Sequence, residues 1–156
     1  MVVLALFNRG DAELRRALEE NLEFQVRVNG NTVATVGLQD LLDLQPQEFT
    51  TTMSTSAAGP RQVALRGVEL RLLIEKLDVD TQDASHFVVS GLDGYRSPLT
   101  LDEVRQPEIV YICFSMDGGM LKTQSEGGYG PFMMVIRGAP YAQRWCKYVE
   151  AVDIIL

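Results

Sequence analysis

Phe24-Gln25-Val26-Arg27-Val28-Asn29-Gly30, with Thr32 to Val36 after it, is the stretch on which the fold class turns. Apolar Phe24, Val26 and Val28 alternate with polar Gln25 and Arg27, the period of a strand with one face buried. Asn29-Gly30 supplies the residue types that tolerate the left-handed backbone of a two-residue turn, so the spacing predicts a β-hairpin. On its N-terminal side, Asp11 to Asn21 reads as a helix, with Asp11 as N-cap and Leu14, Ala17 and Leu18 along one side. On its C-terminal side, Leu38, Leu41 and Leu42 sit at helical spacing in a segment, Leu38 to Leu44, that ends before Pro46.

The same alternation of short strands and short helices continues to the end. Phe49 to Ser56 reads as an extended strand entering a loop at Ala57-Ala58-Gly59-Pro60. Val63 to Leu65 is a short strand, and Gly67 marks a turn into a helix near Glu69 to Leu77. His86 to Ser90 is a strand closed by an Asp93-Gly94 turn, and Thr100 with Glu103 forms a capping box for a short helix. Ile109 to Phe114 is a buried strand ending in the hairpin-type turn Asp117-Gly118-Gly119. After a loop at Gly127 to Pro131, Phe132 to Ile136 is another buried strand. Tyr141 to Lys147 is a turn or short helix, and Val149 to Ile155 an alternating strand. Without a regular βαβ rhythm, this order predicts a mixed-sheet α+β domain with short peripheral helices. No repeat or long linker divides the 156 residues, so one domain over 1–156 is expected.

Composition excludes several functions. Hydrophobic residues make up 46% and charged residues 22%, a globular balance rather than a disordered one. Fourteen basic against 21 acidic residues leave a net charge of −7, which argues against nucleic acid, whose binding needs a basic face. No segment approaches the roughly 20 apolar residues of a membrane span. Met1 to Phe7 is apolar but has no basic leading region, so it does not read as a signal peptide, and a native start there implies the cytoplasm. Two cysteines and one histidine cannot fill a four-ligand zinc site, so no metal site is expected. His86 opens an apolar run without a nucleophile motif and reads as structural.

Four places have chemistry worth weighing. Gly127-Gly128-Tyr129-Gly130 is either a mobile turn or a loop over a pocket; it lacks the GxxxxGKS and GxGxxG patterns, and Pro131 has no amide to give. Thr50 to Ser56 is either half-exposed β structure or a set of hydroxyls for a polar ligand. Arg137, Arg144 and Lys147, with Trp145 among them, are either a solvated face or a pocket for a phosphate-bearing ligand; on a helix, Arg144 and Lys147 would share a side. Tyr95 follows Asp93-Gly94 in a loop of the kind that often carries binding residues. Met116, Met120, Met133 and Met134 read as core packing.

In order along the chain, five landmarks resemble the molybdopterin-binding domain of the sulfite oxidase family. They are the Phe24 to Gly30 hairpin with Leu38-Gln39-Asp40-Leu41-Leu42; Arg66-Gly67-Val68-Glu69-Leu70-Arg71-Leu72-Leu73; and Ser90-Gly91-Leu92-Asp93-Gly94-Tyr95 with Pro98-Leu99-Thr100. Gly128-Tyr129-Gly130-Pro131-Phe132 and Arg144-Trp145-Cys146-Lys147-Tyr148-Val149 complete the set. The resemblance covers about residues 23–155, leaving 11–22 as an N-terminal helical extension. It implies that family's mixed α+β fold and molybdopterin as cofactor.

Departures from the family pattern bear on function. Family enzymes hold molybdenum through a cysteine thiolate just before the Gly-Val-x-Leu segment, where this chain reads Thr52-Met53-Ser54-Thr55-Ser56-Ala57-Ala58-Gly59-Pro60. Neither Cys113 nor Cys146 matches that place, and a neutral hydroxyl is a poor substitute for a soft thiolate. The family's histidine-bearing segment has no match in residues 1–40, and only Arg144 and Lys147 match its basic residues in the pterin-phosphate region. The expected function is therefore a degenerate molybdopterin-oxidoreductase-like domain that binds a pterin or another small anionic ligand, with molybdenum not expected. Ser54, Thr55, Ser56, Asp93, Tyr95, Arg144 and Lys147 are its expected binding residues. The alternatives are an active enzyme with Ser54 or Ser56 as metal ligand, and a non-catalytic protein-interaction module.

Overall fold

A computed structural model describes residues 12–55, 59–138 and 141–156. Helix α1 (residues 12–20) leads into the hairpin β1 (Glu23–Val28) and β2 (Asn31–Gly37), followed by α2 (Leu38–Leu42). The long pair β3 (Gln47–Thr55) and β4 (Gly59–Glu69) precedes α3 (Leu70–Lys76). Then come β5 (His86–Gly91), β6 (Arg96–Thr100), α4 (Leu101–Arg105), β7 (Val110–Met116), β8 (Gly119–Met120), β9 (Met133–Ile136) and β10 (Val149–Ile155). Two short 3₁₀ turns, Gln124–Glu126 and Tyr141–Arg144, flank β9. The predicted N-cap Asp11 and the loop residues Ala57 and Ala58 lie outside the described residues.

The strands form two layers, one mixed and one antiparallel. One sheet runs β2-β1-β10-β5-β6, with β10 parallel to β1 and antiparallel to β5. The other runs β3-β4-β7-β8, and β9 also pairs with β7. Buried faces from both sheets meet in one apolar core. Phe24 on β1 meets Phe132, just before β9, edge to face at 5.0 Å, joining the layers.

The opening hairpin forms as its pattern requires. Phe24 and Val26 are fully buried, and Asn29 (φ 49°) and Gly30 (φ 83°) take the left-handed turn. Arg27 Nη2 donates to Gln25 Oε1 at 2.9 Å on the outer face. Thr100 caps α4 as its sequence implies: its Oγ1 accepts from Glu103 N at 3.1 Å, while Glu103 Oε1 accepts from Thr100 N at 2.9 Å.

Three local expectations are corrected. Gly67 makes no turn: β4 passes through it and is far longer than Val63 to Leu65. The register with β7 slips between Arg66 and Gly67, and a Cβ at Gly67 would lie 2.7 Å from Cys113 Cα. Glycine here lets two strands close up at a β-bulge. β6, centred on Pro98, has no clear strand signal in the sequence; at the sheet's edge the missing donor is tolerated. Met120 is half-exposed rather than core, unlike the fully buried Met133 and Met134.

Candidate functional site

The β5–β6 turn builds one corner of the molecule. Gly91 N donates to Tyr95 O at 2.8 Å and Gly94 N to Gly91 O at 3.0 Å, while Asp93 Oδ1 accepts from Tyr95 N at 3.1 Å. Asp93 thus serves its own turn, as short acidic side chains commonly do. Leu92 N donates to Tyr148 O at 2.7 Å, which lays this turn against residues 146–148. The approach is so close that a Cβ on Gly91 would sit 2.5 Å from Lys147 O and 2.6 Å from Asp93 Oδ1.

Residues 141–148 are fastened to the same corner. Tyr95 Oη donates to Gln143 O at 3.1 Å, and the buried Ser97 Oγ to Arg144 O at 2.6 Å. The Arg144 guanidinium grips Glu103 with both nitrogens, at 2.7 and 3.0 Å, and donates to Pro98 O at 2.8 Å. The hydrogen bond from Arg144 holds the Glu103 carboxyl below its usual range, against the opposing effect of burial. Lys147 goes elsewhere: its Nζ stands 4.4 Å from the Tyr129 ring centroid. The 3₁₀ turn stops at Arg144, so the helical spacing that would put both cations on one side does not apply.

The glycine loop spends its glycine amides on its own chain, which leaves them no role in cradling a phosphate. Gly127, Gly128 and Gly130 donate their amides to Gln124 O, Thr123 O and Lys122 O at 3.0, 2.8 and 2.7 Å. A Cβ on Gly128 or Gly130 would come within 2.6 Å of Lys122 Cβ or Leu121 Cβ, so these glycines allow two chain segments to run side by side. What the loop offers the corner is Tyr129 beneath Lys147. The lone aromatic of a Gly-x-Gly run was its available signal.

The structure therefore brings Asp93, Tyr95, Arg144 and Lys147 together, although 49 positions of numbering separate Tyr95 from Arg144. Ser54 and Thr55 stand on the β3–β4 hairpin of the other sheet, opposite Pro60 and Gly59, with Ser54 exposed. Ser56 lies outside the described residues. A cleft of about 440 Å³ lies between α3 and α4, floored by Ile74, Phe87 and Val104, and none of the seven expected binding residues lines it. The sequence reading missed Glu103 as the partner of Arg144, because that pairing spans 41 positions with no local signature.

A mixed and an antiparallel sheet with short helices around one core, and a polar corner beside them, define an α+β domain of the sulfite oxidase type. The chain belongs to the oxidoreductase molybdopterin binding domain family, whose model matches residues 13–155. The crystal structure of the sulfane dehydrogenase SoxCD from Paracoccus pantotrophus contains a chain with the same fold, at a TM-score of 0.70 and 17% identity. The match covers 88% of this chain and 39% of that one, so this chain spans well under half of its neighbour's length. No curated protein matches the sequence.

The family's cofactor has a metal end and an organic end, and the residues here suit them unequally. Cys113 is fully buried on β7 beside Gly67, where burial pushes its thiol far up. Cys146 is equally inaccessible, its thiol pushed up to about 12 by burial and by the nearby Asp93 carboxylate. Both thiols of the chain thus lie inside the core. Among the described residues, no three Cys, His, Asp or Glu side chains are grouped to hold one. The corner carries an ammonium, a carboxylate and phenols on closely packed loops, the kinds of group that the organic end could use. No helix among the described residues is long and apolar enough to cross a membrane.

Proposed function

We propose that this molybdopterin-binding oxidoreductase-like domain holds a pterin, or another small anionic ligand, without molybdenum redox chemistry. One observation carries the reading: both thiols of the chain are sealed in its core. Lys147 supplies the positive charge at the corner, Asp93 and Tyr95 supply hydrogen-bonding edges, and Arg144 holds the wall through Glu103 and Pro98. Ser54, exposed on the β3–β4 hairpin of the other sheet, stands apart from this corner.

The test is molybdenum content and released fluorescent pterin in protein purified from a host that makes the cofactor. Pterin without metal, reduced in a Lys147→Ala variant, is the expected result. Stoichiometric molybdenum would overturn the metal-free reading and direct attention to Ser54 and Ser56. Protein carrying neither, with no affinity for added pterin or phosphate ligands, would leave the fold as an interaction scaffold.

A further inference from the structure

The edge of a sheet is a row of backbone donors and acceptors that another strand can complete, and proteins usually blunt it. Among the described strands, every outer one but β3 is protected. β2 carries an extra residue, Val33, at a bulge opposite Val26 and Arg27. β6 contains Pro98, whose carbonyl is taken by Arg144 at 2.8 Å. β8 is only two residues long. Beyond β9, Met134 exchanges both backbone hydrogen bonds with Cys146, at 2.8 and 3.0 Å.

β3 has none of these devices. It ends its sheet, and its register with β4 runs unbroken from Gln47 opposite Gly67 to Thr55 opposite Gly59. Its nine residues include no proline, glycine or lysine. The turn Tyr141–Arg144 comes near it, yet among the described residues no backbone hydrogen bond joins β3 to anything but β4. From Phe49 to Ser54 no side chain is charged, in a chain whose net charge is −7. Phe49 and Met53 are buried on one face with the half-buried Thr51 between them, while Thr50, Thr52 and Ser54 are exposed on the other.

We propose that the β3 edge is the interface for a second copy of this chain, whose own β3 adds to it antiparallel about a two-fold axis at Thr51. The strand's alternation sets that register, because a slip of one residue would put buried side chains opposite exposed ones. With Thr51 on the axis, Phe49 meets the partner's Met53, Thr50 meets the partner's Thr52, and Glu48 meets the partner's Ser54. Apolar groups then face apolar groups, hydroxyls face hydroxyls, and no carboxylate faces another. Two chains of the same net charge repel, so an uncharged, self-complementary strand is where they can join. The pairing merges two sheets into one and is independent of the pterin reading.

The test is sedimentation equilibrium of the full chain from about 1 μM to about 1 mM, with a dimer Kd expected on the order of 10–100 μM for so small an interface. Raising salt from about 0.02 to about 0.3 M should tighten the dimer, since it screens the repulsion. Thr50→Lys, at an exposed position, should weaken it about tenfold or more and leave the Tm of dilute protein within about 2 °C. On air oxidation, Thr51→Cys should form a disulfide-linked dimer about tenfold faster than Thr50→Cys, whose two copies stand two positions apart. The native thiols are buried and leave that readout clean. A chain that stays monomeric at the highest concentration overturns the proposal. So does a dimer that Thr50→Lys leaves intact, or one in which the two cysteine variants crosslink equally.

Discussion

The corner around Asp93 and the hairpin around Ser54 both carry expected binding residues, yet they are built in opposite ways. At the corner almost every polar group already has a protein partner: Asp93 serves Tyr95, Tyr95 serves Gln143, and Arg144 serves Glu103. On the hairpin, Ser54 is exposed and the outer face bears only scattered contacts such as Gln62 Nε2 to Thr52 Oγ1 at 2.8 Å. A polar cluster can thus be dense because it is architecture, and a sparse one can have spare capacity. Chemistry at the corner must use what the architecture leaves over, which is chiefly the outward side of Lys147.

The contrast breaks most sharply at Gly91. Gly91→Ala forces a methyl against Lys147 O and Asp93 Oδ1, and should cost about 3 kcal/mol of unfolding free energy in urea. A cost below about 1 kcal/mol would show the corner to be pliant. Arg144→Ala removes the clamp on Glu103 and should cost about 1 kcal/mol, kept small because both groups are partly exposed to screening solvent.

That clamp also has a pH signature. Since the folded pKa of Glu103 lies below its unfolded value, its contribution is present above about pH 4.5 and fades as pH falls through the lower folded value. Tm measured from pH 7 down to pH 3 should therefore fall less steeply in Glu103→Gln than in the native chain; parallel curves would remove the clamp from the account. Smallest of all, Ser54→Ala should change stability by less than about 0.5 kcal/mol. Any loss of pterin binding in that variant then reports ligand contact rather than damage to the fold.

What was legible in the sequence was mostly local. Asn29-Gly30, the Thr100–Glu103 box and the apolar run to Phe114 carry their signals within a few residues, and each takes its expected form. Gly67 misled because glycine in a strand and glycine in a turn look alike; only the approach of β7 decides between them. Nothing near Pro98 announces a strand, since its pairing with Val88 is imposed across the β5–β6 turn. At the candidate site, the Asp93-Gly94-Tyr95 turn was readable, but its meeting with Arg144 and Lys147 depended on the order of the strands. Whether a cation is engaged, as Arg144 is by Glu103, is a property of tertiary neighbours that spacing does not reveal.

The place of β10 in its sheet bears on how the molecule is made. It lies between β1 and β5, so Gln25 must wait for Ala151 before the two can pair. At about 5–20 residues per second of synthesis, the opening hairpin spends roughly 6–25 s with one edge unsatisfied. Through that interval, Phe24 and Val26 have no completed core to enter. The nascent chain is thus a natural client for holding chaperones, and its sheet closes only when the strand that bridges both halves has emerged.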